Sequence, residues 1–122
     1  MAFLKYTPVN NPKRPKLSVI VAAHNEEENL KRLIPAIASQ KYPDFEIVIA
    51  LDRTTDNSAY HLADCNKIIP IVINEVPADW NEKKYALNEA IKRATGEWLV
   101  FTDADCYPNS DKWLTSLVKQ AG

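Results

Sequence analysis

Two aspartates, Asp103 and Asp105, stand one residue apart at the end of an apolar run over residues 97–102. That run has the β-branched and aromatic content of a buried strand, so both carboxylates are expected just beyond the strand's carboxyl end, where open α/β sheets bind ligands. Carboxylate oxygens at this place suit a divalent cation that carries a phosphorylated substrate. An ordinary loop, in which one aspartate caps the next helix, is the competing interpretation of so short a motif.

Glycine is scarce in this chain, and its scarcity excludes two kinds of phosphate site. Gly96 and Gly122 are the only glycines among the 122 residues. The sequence therefore contains neither the Gly-x-Gly-x-x-Gly loop of dinucleotide-binding folds nor the glycine-rich loop of P-loop proteins. Any phosphate group must instead be held by a metal ion, by side chains or by the amino end of a helix.

Composition and charge predict one globular domain without a nucleic-acid partner. Of the 122 residues, 46% are hydrophobic and 25% charged, and the net charge of −1 provides no basic field. Cys65 and Cys106 are too few for a disulfide framework and lack metal-site spacing, so free thiols are predicted. No apolar run reaches the roughly 20 residues of a membrane span, and no signal peptide opens the chain, so a cytoplasmic location is expected.

The hydrophobic pattern alternates between strands and helices. Residues 1–16, which include three prolines, predict an extended and poorly packed lead-in, and residues 17–122 predict an α/β domain. Its predicted elements are a strand at 17–22, a helix from 25, a strand at 45–51, a short helix to 63, a strand at 68–73, a helix at 83–94, a strand at 97–102 and a last helix through 113–118. Pro70 predicts an edge position for its strand, and Gly96 is predicted to stop the helix before it.

This order of elements predicts a doubly wound, mostly parallel sheet built from right-handed crossovers. Polar groups follow each strand: Asn25-Glu26, residues 52–56, residues 80–83, and the pair Asp103 and Asp105. Because parallel strands end at the same edge of a sheet, these groups are expected to converge on one rim.

The same segments carry a family resemblance. They are Leu17-Ser18-Val19-Ile20-Val21 leading into Asn25-Glu26, then Asp52-Arg53-Thr54-Thr55-Asp56, then Lys83-Lys84-Tyr85-Ala86-Leu87-Asn88, then Val100-Phe101-Thr102-Asp103-Ala104-Asp105. Over about residues 16–113 the chain resembles the nucleotide-binding half of a family 2 glycosyltransferase, a group of inverting, nucleotide-sugar-dependent enzymes with a Rossmann-like GT-A fold. The chain departs from the family pattern at three places: the Ala22-Ala23-His24 stretch replaces the proline common before the Asn-Glu pair, Glu82 replaces a glycine common before the lysine, and Leu51-Asp52-Arg53-Thr54 stands where the family often has Asp-Asp-Gly-Ser.

The resemblance implies a role for each matching residue. Asp52 would accept a hydrogen bond from the imide N–H of uracil, for which an acceptor-only carboxylate is suited. Asp103 would bind the ribose hydroxyls or the metal shell, and Asp105 would ligate Mg²⁺ or Mn²⁺ on the diphosphate. Lys83 would meet the nucleotide from its other side, and Glu26 would order the first loop or reach the nucleoside.

Each of these roles has a structural alternative. Asp52 could form a turn, Lys83 could be a solvated surface lysine, and Glu26 could be the acid of a helix start. His24, Arg53 and Trp80 could line the pocket, but local packing or a solvated side chain is the favoured interpretation of each, so they are left out of the predicted site.

The predicted function is the donor-binding portion of a transferase that moves a sugar from a nucleotide-sugar, a UDP-sugar by the resemblance, to an acceptor hydroxyl with inversion. The acceptor would be a saccharide or a lipid-linked acceptor, and the general base is expected beyond Gly122, so the covered chain alone is expected to be inactive. For the full-length parent, attachment at the inner face of the membrane is left open. Two alternatives remain: a non-catalytic nucleotide-binding module, and more distantly a sugar-phosphate nucleotidylyltransferase, whose glycine-rich amino-terminal loop is absent from residues 17–28.

Overall fold

The computed structural model describes residues 2–6 as backbone and residues 14–63 and 65–121 in full. Its strands are β1 Ala2–Tyr6, β2 Leu17–Ala23, β3 Phe45–Asp52, β4 Ile68–Ile73 and β5 Trp98–Asp103. Its helices are α1 Glu27–Ala38, α2 Ser58–Leu62, α3 Glu82–Arg93 and α4 Trp113–Ala121. The predicted alternation of strands and helices is confirmed, with element ends that differ by a few residues.

The strands form one sheet in the order β1-β5-β2-β3-β4. The four strands β5, β2, β3 and β4 are mutually parallel, as predicted. Strand β4 lies at the edge, which confirms the position predicted from Pro70, a residue that cannot donate a ladder hydrogen bond. The fold is therefore the predicted α/β sheet with parallel strands at its centre.

Strand β1 differs from the expected lead-in. Residues 2–6 pair antiparallel with β5, and Ala2 lies opposite Thr102 while Tyr6 lies opposite Trp98. The prolines that suggested an unpaired lead-in all follow this run, and its aromatic and aliphatic residues favour a strand. Residues 7–13, the rest of the predicted lead-in, lie outside the described part of the chain.

Side-chain alternation along the strands divides the core into two layers. Val19 and Val21 of β2 pack with residues of α1, α2 and α4 on one face of the sheet. Ile20, between them, packs on the other face with Ala86 and Ala90 of α3. Because neighbouring strand residues point to opposite faces, a nearly continuous apolar strand is buried on both sides. Helices on both faces confirm the doubly wound arrangement.

The connection through α3 sets the place of the site. The chain steps outward from β2 to β3 and β4, and then returns through α3 to β5 on the other side of β2. This reversal of strand order opens a crevice at the carboxyl ends of β2 and β5, the position where doubly wound sheets bind ligands. By alternation Asp52 and Asp103 lie on the same face as Ala50 and Phe101, which is the face that α3 covers.

Gly96 has a different role from the predicted one. Helix α3 ends at Arg93, and no glycine in the described residues has the positive φ of a left-handed helix stop. A Cβ at Gly96 would instead lie 2.6 Å from the backbone nitrogen and from Oγ of Ser18. Glycine is needed here because the backbone approaches β2 too closely for a side chain.

Within the described residues, none of the helices has the length and apolar character required to cross a bilayer.

Candidate functional site

A cleft of about 420 Å³ opens at the carboxyl ends of β2, β3 and β5. It is lined by Ala22, Ala23, His24, Glu26, Asp52, Arg53, Glu82, Lys83, Ala86, Asp103, Ala104 and Asp105. The structure thus brings together all five residues of the predicted site, which come from four separate parts of the chain. Their convergence follows from the parallel sheet, because each belongs to a segment next to a strand's carboxyl end or to the start of α3.

The acidic motif at the end of β5 forms one side of the cleft. Asp103 is the last residue of β5, and its Oδ1 accepts a hydrogen bond from Nζ of Lys83 at 3.0 Å. Single ligand atoms of Asp103, Asp105 and Cys106 lie within 4.8 Å of one another, which is close enough to share a cation. Two carboxylates suit Mg²⁺ or Mn²⁺, whereas a thiol is a softer ligand that these ions do not favour.

Cys106 was not part of the predicted site. Its position directly after Asp105 was the available signal, but sequence spacing alone did not place its sulfur beside the two carboxylates. Neither Cys106 nor Cys65, the other cysteine, forms a disulfide.

Asp52, at the end of β3, forms the opposite side of the cleft and is almost fully buried. Its carboxylate is held by the guanidinium of Arg53, from Nε to Oδ1 at 2.8 Å and from Nη2 to Oδ2 at 3.1 Å. The same guanidinium donates to Glu82, from Nη1 to Oε1 at 3.1 Å, and its Nη2 lies 2.8 Å from Oε2. Arg53 therefore bridges the end of β3 and the first residue of α3.

The contacts of Arg53 with Asp52 and Glu82 shift the pKa values of two of these groups. The hydrogen bonds from Arg53 hold the pKa of Glu82 below its usual range, and those to Asp52 and Glu82 raise the pKa of Arg53. The guanidinium is thus a permanent cation between two carboxylates. Arg53 was interpreted from the sequence as solvated or locally packed, and its direct contact with the predicted base-binding aspartate was missed.

His24 and Trp80 differ in their relation to the cleft. His24 lines it, and its Nδ1 lies 2.6 Å from the carbonyl oxygen of Asp52. Since a carbonyl only accepts, Nδ1 carries the proton in this contact. Trp80 packs edge-to-face on Tyr85 with 5.5 Å between ring centroids, in agreement with the predicted local packing.

The loops after β2 and β3 are joined by hydrogen bonds in both directions. Oδ1 of Asn25 accepts from the backbone N–H groups of Thr55 at 2.7 Å and Asp56 at 3.2 Å. In return, Oδ2 of Asp56 accepts from the backbone N–H of Glu27 at 3.2 Å. Asn25 has a φ of 50°, a left-handed conformation that asparagine tolerates better than most residues. These contacts fix the loop that follows Asp52.

Glu26 combines a cleft position with a local contact. It is the residue before α1, makes no side-chain cap to the helix, and accepts from Nδ2 of Asn29 at 3.1 Å. It is partly buried and lines the cleft. The role of Glu26 stays a prediction, whether as the acid of a helix start, in the ordering of the first loop or in contact with a nucleoside.

Known proteins are similar to this chain over the region that contains the segments lining the cleft. The family model described as Glycosyl transferase family 2 matches residues 18–122. The poly(ribitol-phosphate) beta-N-acetylglucosaminyltransferase TarS of Staphylococcus aureus is 29% identical over 98 residues, which are 79% of this chain and 17% of the relative. The poly-beta-1,6-N-acetyl-D-glucosamine synthase of Staphylococcus epidermidis is 31% identical over 100 residues, 78% of this chain and 23% of the relative.

Two solved structures share the fold. The mannosyltransferase PcManGT from Pyrobaculum calidifontis, in complex with GDP-Man and Mn²⁺, matches with a TM-score of 0.77 and 28% identity over 93% of this chain and 33% of that chain. S. aureus TarS in complex with UDP-GlcNAc matches with a TM-score of 0.73 and 28% identity over 85% of this chain and 30% of that chain.

The chain spans about a sixth to a quarter of the length of the two curated relatives, and about a third of each solved chain. The matched region nevertheless contains every segment that lines the cleft. Because the family model matches residues 18–122, which are most of the chain, this chain belongs to glycosyl transferase family 2.

Proposed function

We propose that this chain is the donor-binding portion of an inverting glycosyltransferase that uses a UDP-sugar with Mg²⁺ or Mn²⁺. The observation that carries the proposal is the meeting of Asp52, Lys83, Asp103 and Asp105 in one cleft. The acceptor of the sugar would be a saccharide or a lipid-linked acceptor. A saccharide acceptor is supported by the relative named poly-beta-1,6-N-acetyl-D-glucosamine synthase.

The charge of the cleft supports the need for a metal ion. Among the described residues that line it, the acidic side chains are Glu26, Asp52, Glu82, Asp103 and Asp105, whereas the side chains that are always cationic are Arg53 and Lys83. Both cations are already paired with carboxylates. A diphosphate would therefore meet a surplus of negative charge unless a divalent cation came with it.

Asp103 and Asp105 fit that cation. They offer hard oxygen ligands at the rim of the cleft, and Asp105 is exposed, so its carboxylate is accessible to a metal–diphosphate complex. The ion would neutralise charge that develops on the leaving diphosphate. PcManGT, a structural neighbour, is in complex with Mn²⁺ and GDP-Man, which supports a metal-dependent site.

Lys83 supports the binding of phosphate from the α3 side. It is the second residue of α3, where free backbone N–H groups and the helix dipole favour an anion. Its side chain is 64% exposed and reaches across the cleft to Asp103. A metal ion on Asp103 would replace Lys83 as the counter-ion of this carboxylate and leave the ammonium group for the diphosphate.

Asp52 supports the preference for uracil. A carboxylate accepts and cannot donate, so it matches the imide N–H of this base. The two solved neighbours carry different nucleotides, GDP-Man in PcManGT and UDP-GlcNAc in TarS, so base preference has to be tested on this chain itself.

Calorimetric titration of the chain with UDP and Mn²⁺, repeated with excess EDTA, tests the proposal. We expect binding that requires the metal, and weaker binding of CDP than of UDP under the same conditions, because cytosine has an acceptor at N3 where uracil has the imide N–H. Binding of UDP that is equal with and without metal would contradict the role of Asp103 and Asp105. Equal affinity for UDP and CDP would contradict the role of Asp52.

A further inference from the structure

The carboxylate proposed to bind the base is covered by a neighbouring side chain. Both oxygens of Asp52 accept hydrogen bonds from Arg53, at 2.8 and 3.1 Å, and the side chain of Asp52 is only 9% exposed. Each carboxylate oxygen can accept two hydrogen bonds, so this fork of two N–H groups takes half of the acceptor positions of Asp52, and the burial of the side chain limits access to the others. A nucleobase therefore reaches Asp52 by taking the place of Arg53.

The side chain of Arg53 can move away from Asp52 while the backbone of Arg53 stays in place. Its backbone N–H donates to the carbonyl oxygen of Ile73 at 2.8 Å, which ties the residue to the end of β4. Its φ of 47° lies in the left-handed region, which is unusual for arginine. The backbone is thus fixed by the fold, whereas the side chain is one third exposed.

Glu82 provides a second position for the guanidinium. Nη2 of Arg53 is shared between Oδ2 of Asp52 at 3.1 Å and Oε2 of Glu82 at 2.8 Å. The side chain of Glu82 is 64% exposed, so it can follow the guanidinium outward. A cation released from Asp52 keeps Glu82 as its partner and no longer shares its N–H groups between two acceptors.

We propose that Arg53 is a displaceable cover of Asp52 and that Glu82 holds the guanidinium when a base takes its place. This inference rests on the proposed function. It also gives one reason for two of the three departures of this chain from the family pattern, because Arg53 and Glu82 both stand where glycine is common and the structure pairs them with each other. The apparent base affinity equals the affinity of open Asp52 multiplied by the fraction of molecules in which Asp52 is open.

The test is titration with uridine, a neutral probe of the base subsite, followed by NMR chemical shifts. Arg53→Gly removes the cover and supplies the residue best suited to a φ of 47°. We expect it to bind uridine about tenfold more tightly, since an open state populated at about 10% reduces apparent affinity by that factor. We expect Glu82→Gln to bind about two- to fivefold more weakly, which is the range of an exposed ion pair.

The double variant sharpens the test. In the Arg53→Gly background, Glu82→Gln should leave uridine affinity unchanged, because the released guanidinium that Glu82 holds is gone. If Arg53 and Glu82 had a merely structural role, both single variants would bind uridine more weakly than the wild type. Tighter binding by Arg53→Gly together with weaker binding by Glu82→Gln is the result that the cover predicts.

The possible outcomes separate this inference from the proposed function. Arg53→Gly that binds uridine equally or less tightly, in a chain that still binds UDP with Mn²⁺, overturns the cover and leaves the proposed function intact. If Arg53→Gly does not fold, Glu82→Gln that binds uridine equally or more tightly overturns it. A wild-type chain that binds neither uridine nor UDP with Mn²⁺ overturns the proposed function and the cover with it.

Discussion

Lys83 and Asp103 form an ion pair of 3.0 Å that joins the start of α3 to the end of β5 across the cleft. The two residues come from elements that are separate in sequence, and the pair crosses the carboxyl end of the sheet. It places an exposed ammonium group beside the carboxylate that is proposed to bind the metal.

Lys83→Met removes the charge and keeps most of the length of the side chain. We expect UDP affinity in the presence of Mn²⁺ to fall about tenfold, because a charge-assisted contact with phosphate is lost. Lys84→Met is the matched control, since Lys84 is also exposed and does not line the cleft. Calorimetric titration of both variants measures the difference, and equal losses in the two would contradict a specific role of Lys83.

Asp105→Asn tests the proposed metal site at one of its two carboxylates. The substitution keeps the shape of the residue and removes the charge of a hard oxygen ligand. We expect UDP binding to lose its dependence on Mn²⁺, so that the titrations with metal and with EDTA become alike. Asp79→Asn, in the exposed loop before α3, is the control and should behave as the wild type does. Unchanged metal dependence in Asp105→Asn would remove this residue from the site.

Asn25 is predicted to order the loop that follows Asp52. Asn25→Gly keeps the left-handed conformation but removes the acceptor of the Thr55 and Asp56 amides, whereas Asn25→Asp keeps an acceptor. We expect faster hydrogen exchange of these two amides in Asn25→Gly and near wild-type protection in Asn25→Asp. Amide exchange followed by NMR measures both, and equal protection in the two variants would show that the loop is ordered by other contacts.

Glu46 is predicted to make stability depend on acid pH. Burial raises the pKa of this carboxyl, but hydrogen bonds from the backbone and hydroxyl of Thr95 and from Ser18 outweigh burial, and the net pKa lies below the usual value of 4.5. The folded protein therefore binds this proton less tightly than the unfolded chain does. The stabilisation is complete above about pH 4.5 and is lost as the pH falls through the lower pKa of the folded state.

Glu46→Gln tests this dependence. We expect the variant to be less stable at pH 7 by about 1–3 kcal/mol, the cost of weakening hydrogen bonds to a buried charged group. Its free energy of unfolding should fall less than that of the wild type between pH 7 and pH 3. Urea unfolding at several pH values measures both curves, and parallel curves would show that other carboxyls, such as Glu27 and Glu82, carry the dependence.

Local pattern was sufficient to predict most of the elements and the position of the acidic motif. The apolar runs that became β2, β3, β4 and β5 could be identified by their length and composition, because a strand that is buried on both faces needs a nearly continuous apolar sequence. Because residues next to strand ends share one rim of a parallel sheet, the approach of Glu26, Asp52, Lys83, Asp103 and Asp105 could also be predicted.

The tertiary structure decided which of these residues pair. Arg53 meets Glu82, a residue 29 positions away, and Lys83 meets Asp103, 20 positions away, and neither distance appears in any local pattern. The pairing of β1 with β5 depended likewise on strands that are far apart in sequence. Contacts of this kind depend on the order of strands and on side-chain rotamers within the folded cleft, which composition and periodicity do not encode. The sequence predicted the kind of site, and only the fold decided that Arg53 lies on Asp52, the aspartate proposed to bind the base.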